Sequence, residues 1–165
     1  MTVTRRGLKL PESLDYQSMG VKAGVLENAT YPPLMVRNAK TGKDFPDPRA
    51  GMHVATIAAA LEYGTSKMPA RPFMQTTVAA HRQEWADGVV TLLTNGMSLS
   101  EAFMMIGQVM KEDIQHTINS WPADNKEDWA EVKGFNKGLI WTSHLLKSIE
   151  SEVIDDNGDP LGLFA

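Results

Sequence analysis

Residues 99–118 carry Leu99, Ala102, Phe103, Ile106, Val109, Met110, Ile114 and Ile118 on one helical stripe. About twenty residues at 1.5 Å each make a rod roughly 30 Å long. An apolar face of that length must be covered by an element of similar reach. Ser98-Leu99-Ser100-Glu101 forms a capping box at its start, and Trp121-Pro122 ends it. The covering element is a second helix from near Arg71, with Pro72 in its first turn. Its stripe runs through Met74, Val78, His81, Trp85, Val89 and Leu92, and it closes at Asn95-Gly96. A shorter helix over about Met52–Tyr63 shows Val54, Ile57, Ala58 and Leu61 at the same spacing, with Gly64 as its stop.

The remaining segments read differently. Residues 1–19 form an irregular arm around Pro11 and Asp15. Residues 20–26 alternate, with Val21, Ala23 and Val25 on one face, as a strand does. Residues 33–50 are rich in proline and hold a Thr41-Gly42-Lys43 turn signal; they read as a long loop, with a small hairpin as an option. Residues 122–139 read as a second long loop. Residues 148–154 alternate as a C-terminal strand, and residues 155–165 form a tail with a turn signal at Asn157-Gly158. The sum is one domain over 1–165 of α+β class. Two long helices and one short helix pack on a small, mostly antiparallel sheet with long loops.

No chemistry-bearing constellation appears. A G-x-S-x-G elbow is missing. Thr41-Gly42-Lys43-Asp44 lacks the first glycine and the Ser/Thr of a phosphate loop. Asp155-Asp156-Asn157-Gly158-Asp159 has its glycine at the wrong offset for a calcium loop. His53, His81, His116 and His144 form no H-x-x-x-H pair, and the chain has no cysteine. Catalytic, cofactor-binding and metal-ligating residues are therefore read as none. A formal net charge of −4 disfavours tight binding of phosphate backbones. No apolar run approaches the roughly 20 residues of a membrane span.

The segment Leu61-Glu62-Tyr63-Gly64-Thr65-Ser66-Lys67-Met68-Pro69-Ala70-Arg71-Pro72-Phe73 stands apart. It is a helix end, a glycine stop and a proline-led helix start. Arg71 between two prolines is aimed in a fixed direction, which suits a bidentate carboxylate contact, either across a subunit boundary or within the chain. The segment resembles the minor tail-component, or tail-completion, family of long-tailed bacteriophages. That family carries a Glu-Phe-Gly-Thr helix end followed by Pro-x-Arg-Pro-Phe. Glu62, Gly64, Thr65, Pro69, Arg71, Pro72 and Phe73 match it, with Tyr63 in the aromatic place.

Residues 20–32 resemble the family's early strand. In 134–153, Leu139, Ile140, Leu145, Ser148 and Ile149 match its C-terminal segment. Gly138 stands where proline is usual, and Trp141-Thr142-Ser143 where Asp-Thr-Gly is usual. Residues 33–50 look like an insertion.

The resemblance implies a structural, non-enzymatic virion protein, assembled in the host cytoplasm and located at the tail or neck. Its expected partners are further copies of itself in a ring, six by analogy, the tail tube protein and the head connector or stopper protein. DNA would pass through the lumen without specific binding. Glu62, Tyr63, Arg71, Phe73, Trp141 and His144 are the subunit-interface candidates. A head-completion or portal-adaptor protein is the alternative, and a small enzyme with an unrecognised site is the second.

Overall fold

The computed structural model describes residues 19–25 and 28–161. Most of the N-terminal arm, Leu26 of the first strand and the last four residues of the tail lie outside them. Chain order is β1 (Gly20–Val25), β2 (Met35–Arg37), β3 (Asp44–Pro46), α1 (Val54–Tyr63), α2 (Phe73–Thr94), α3 (Leu99–Ser120), α4 (Glu127–Lys133), α5 (His144–Lys147) and β4 (Ile149–Ile154).

The α+β class holds. The long helices α2 and α3 form an antiparallel hairpin joined through Asn95-Gly96, where Gly96 sits at φ 89°. Ser98 accepts from the Glu101 amide and Glu101 accepts from the Ser98 amide, so the capping box is closed at α3's start. Thr77, fully buried, bridges the helices through a 2.8 Å hydroxyl contact with Thr117. The Trp85 indole donates to Asp113 at 2.7 Å.

The strands do not form a single sheet. β1 pairs antiparallel with β4, from Gly20 opposite Ile154 to Val25 opposite Ile149. β2 and β3 form a separate two-stranded hairpin. α3 crosses the β1–β4 pair at Gly107, where a Cβ would lie 2.9 Å from Val21 and 3.2 Å from Ser151. Strand alternation therefore turns Val21, Ala23, Val25 and their partners Val153, Ser151 and Ile149 toward the helices. Lys22 and Glu152 pair on the opposite face at 2.7 Å. Tyr31, Val54, Phe73, Ile114, Ile118, Leu139, Leu145 and Ile149 make the central core.

The hairpin allowed for in 33–50 is present, while the reading of 122–139 as loop needs correction. Residues 33–50 contain the β2–β3 hairpin. Residues 122–139 contain α4, whose first turn is acidic (Glu127, Asp128), whose last turn holds Lys133, and which Gly134 closes at φ 79°. The two segments dock on each other: the Ala39 amide donates to the Val132 carbonyl at 2.9 Å, and Lys40 meets Glu131 at 2.6 Å. A four-residue helix, α5, precedes β4 and was likewise unexpected. The α2 stripe is thinner than its sequence implies, since Val78 is exposed and His81 only half-buried.

Between α1 and α2 the chain turns on Gly64, at φ 74°. A Cβ there would stand 2.7 Å from the Ala70 amide nitrogen and 3.0 Å from the Met68 carbonyl. Gly64→Ala combines left-handed backbone strain of about 1–2 kcal/mol with a backbone collision. A chain of this size loses roughly 2–4 °C of melting temperature per kcal/mol. Calorimetry should therefore show a fall of about 5 °C or more; an unchanged melting temperature would mean the turn rearranges freely.

Candidate functional site

The corner that carries the resemblance is built inward. α2 begins at Phe73 behind Pro72, which has no side-chain oxygen for the exposed helix amides. Glu62, near the end of α1, supplies it. Its two carboxylate oxygens accept from the Met74 amide at 2.9 Å and the Gln75 amide at 3.0 Å. A carboxylate on a helix N-terminus is favoured both by those hydrogen bonds and by the aligned peptide dipoles. Pro72, at φ −75° and ψ 62°, forms an inverse γ-turn closed by a 2.7 Å bond from the Phe73 amide to the Arg71 carbonyl. That turn drives Phe73 into the core, where it is 1% exposed.

Arg71 is 5% exposed. Its Nε donates to Asp124 Oδ2 at 2.7 Å, and its Nη1 reaches Met68 Sδ at 3.4 Å. The Trp121 indole donates to the same Asp124 oxygen at 3.2 Å. The Arg71 amide also donates to the Leu61 carbonyl at 2.7 Å, which closes the corner on α1. Asp124 Oδ1 is a buried side-chain oxygen without a hydrogen-bond partner and lies against Gly138. A side chain at 138 would overlap this carboxylate, so glycine and Asp124 belong together there. That accounts for glycine where the tail-completion pattern has proline.

Three interface candidates must be reassigned. Glu62, Arg71 and Phe73 are buried within the subunit and leave little surface to a neighbour, although Glu62 and Phe73 lie at the floor of the groove beside α1. Of the two roles open to Arg71, the within-chain carboxylate clamp is the one formed. Tyr63, the aromatic of the same motif, points outward and is 74% exposed.

Trp141 and His144 are brought together by a second cluster that the sequence reading missed. Arg49 lies between two rings, 4.4 Å from the Tyr31 centroid and 4.5 Å from that of Trp141. Asp47, 3% exposed, holds the guanidinium through bonds of 2.9 and 2.8 Å. Burial pushes the Asp47 carboxyl up, but the Arg49 hydrogen bonds outweigh it and leave its pKa below the ordinary carboxylate value. Thr142 adds a 3.1 Å contact to Arg49. Trp129 meets Trp141 edge-on at 5.0 Å, and Phe45 of the hairpin lies 6.1 Å away. His144 rests 4.9 Å from the Tyr31 ring and shares a hydrogen bond with the Thr30 carbonyl at 2.9 Å.

Of these residues Tyr31, Arg49, Trp129 and Trp141 wall a cavity of about 270 Å³ together with Arg71, Lys133 and Ile57, Ala60 and Leu61 of α1; His144 lies outside it. Lys133 is 7% exposed, donates to the Lys137 carbonyl and lies 4.9 Å from the Phe135 ring. Burial, with the nearby Arg71 and Arg49 charges, lowers its pKa to about 8, against the opposing pull of Asp124. The sequence signals were local: an Asp-x-Arg pair set among prolines, and a lysine–glycine helix end at 133–134. Both fell in segments read as loop.

The opposite side of α1 borders an open groove of about 680 Å³. Val25, Ala55, Ala58, Ala59, Tyr63, Met74 and Val78 make it mainly apolar, and Arg82 stands at its margin. α1 thus separates a polar, aromatic-walled cavity from an apolar groove. The chain matches no family model, no curated protein and no solved structure. Among the described residues no helix is long and apolar enough to cross a membrane.

The lysine gives a pH test. Its pKa falls from 10.5 to about 8 on folding. Below that pH the folded chain carries the cost of a desolvated ammonium. As pH rises from about 8 toward 10.5, the folded state releases the proton while the unfolded state keeps it, so this contribution to stability grows. Urea unfolding should therefore show the stability of the wild type, measured relative to Lys133→Met, rising between pH 7.5 and 10. A difference that stays flat across the window would contradict the burial-driven shift.

Proposed function

We propose that this chain is a structural, non-enzymatic subunit of a bacteriophage virion, a tail-completion or tail-terminator protein that forms a ring at the head–tail interface. The carrying observation is the Glu62–Phe73 corner, which resembles that family's signature at eight positions from Glu62 to Phe73. The geometry adds a physical reason for five of them: Glu62 is a cap, Gly64 a positive-φ stop, Pro72 a γ-turn, Arg71 a buried clamp and Phe73 a core anchor. A structural motif of this kind supports shared architecture; it leaves the partner-binding work to surfaces beside it.

The apolar groove along α1 and α2 is the surface that suits a neighbouring copy. Tyr63 and Val78 are 74% and 44% exposed there and give the groove apolar area that a neighbouring copy can cover. A patch that fits a different patch on the next copy makes a head-to-tail contact, and such contacts close into rings when the rotation allows. The expected neighbours beyond the ring are the tail tube protein on one side and the head connector or stopper on the other. With −4 charge per subunit, the lumen would pass DNA with weak, salt-sensitive contact.

Sedimentation and negative-stain imaging of the purified protein test the reading. The expected result is a closed ring with a central opening, six copies by the resemblance. Val78→Glu should abolish the ring while shifting monomer stability by no more than about 0.5 kcal/mol, because the site is exposed. A compact monomer at every concentration, or a ring indifferent to Val78→Glu, would overturn the proposal or its interface respectively.

A further inference from the structure

The cavity on the other side of α1 has an unusual wall. Three cations, Arg49, Arg71 and Lys133, meet at it, and two carboxylates answer them. Asp47 is committed to Arg49 in two bonds. Asp124 is committed to Arg71 through Oδ2, its buried Oδ1 having no hydrogen-bond partner among the described residues. Among the described residues, Lys133 contacts a backbone carbonyl and a ring face and has no carboxylate at hydrogen-bond distance, Asp124 acting on it only from further off. A nearly buried ammonium without a carboxylate is costly, and chains usually pair such groups. The rest of the wall is flat and apolar: the rings of Tyr31, Trp129 and Trp141, with Ile57, Leu61 and Leu139. Trp129 is 40% exposed, which gives the cavity a way to solvent. At about 270 Å³ it is just below the roughly 300 Å³ at which ligand clefts begin.

We infer that this cavity is a binding site for a carboxylate carried on a small flat or apolar group, with Lys133 as the counterion and the Trp129 and Trp141 rings as the apolar walls. The carboxylate brings the wall's three cations into balance with three anions. Arg49 is already held rigid by Asp47 and stacked between two rings, so it adds a fixed positive field and needs no rearrangement. A phosphate dianion fits less well, since its two charges would set four negative charges against the three cations of the wall. The site does not depend on the ring proposal, because its walls belong to one subunit.

Phenylacetate and its neutral isostere phenylacetamide are the probes, read by amide chemical shifts and by the Lys133 side-chain pKa in carbon-detected NMR. The expected result is saturable binding of phenylacetate, with shifts confined to the cavity wall and its chain neighbours: Tyr31, residues 48–49, 57–61, 68–71, 129–133 and 138–141. Binding of the amide should be at least tenfold weaker. The Lys133 pKa should rise when phenylacetate is bound, since the carboxylate favours the ammonium. Lys133→Met should lose at least tenfold in phenylacetate affinity, and Trp141→Leu should weaken both probes. A blocked peptide with a single Glu, tested beside them, distinguishes sources: tighter binding than phenylacetate marks a protein side chain as the ligand, and weaker binding marks a small acid. Equal affinity for acid and amide, no saturable binding of any of the three probes, or a Lys133 pKa unmoved by bound phenylacetate would overturn the inference. The comparison of acid with amide on the unmodified chain stands even if a variant fails to fold.

Discussion

The contact between Arg71 and Asp124 ties the fold together. It joins the α1–α2 corner to the segment that follows α3, two parts of the chain 53 residues apart. The guanidinium is nearly buried, so removing its partner would strand a charge in a poor dielectric. Breaking a buried pair in this way costs about 3–5 kcal/mol, even though a well-packed apolar replacement of both partners can be neutral. The arrangement around it is dependent in the same sense. Gly138 makes room for the carboxylate, Trp121 donates to it, and Pro72 sets the direction from which the arginine arrives. From that junction α2 runs out against α3, and α3 lies across the β1–β4 pair.

A consequence is that α1 is a partition. One face borders the apolar groove with α2, and the other borders the cation-lined cavity closed by α4, Pro48-Arg49 and residues 138–141. Its alanines suit both sides, since small side chains keep the helix close to its neighbours without filling either space. The two spaces differ in chemistry. The groove offers mainly apolar area, with Glu62, Gln75 and Arg82 on its wall, which fits a neighbouring protein surface. The cavity offers fixed charge and aromatic walls, which fits a small anionic group.

Much of the scaffold was legible because its signals were local. The capping box at Ser98, the stops at Gly64 and Asn95-Gly96, and the alternation in β1 and β4 each act within a few residues. The division into two sheets was not legible, because pairing depends on which strands α3 brings together. α4 was missed although Glu127, Asp128, Lys133 and Gly134 spelled a short helix; the surrounding polar residues masked them. The corner's importance was legible, but its direction was not. An arginine between two prolines is equally suited to a neighbour or to its own chain, and only the distant Asp124 decides. The cavity was invisible for the same reason: Tyr31, Arg49, Lys133 and Trp141 come from four separate stretches of sequence.

The central claim is that the corner is internal architecture and that partner contacts lie elsewhere. The most direct measurement is the equilibrium stability of the dilute, unassembled subunit in a double-mutant cycle over Arg71→Met and Asp124→Leu. The account predicts that Asp124→Leu, which strands the buried guanidinium, destabilises the isolated subunit by about 3–5 kcal/mol, and that Arg71→Met costs less, because the Asp124 side chain left behind is 31% exposed. The double change should cost much less than the sum, with a coupling of at least 1 kcal/mol, at the level seen for residues in direct contact. A subunit of unaltered stability with Arg71→Met, defective only when copies assemble, would contradict it and return Arg71 to the boundary between subunits.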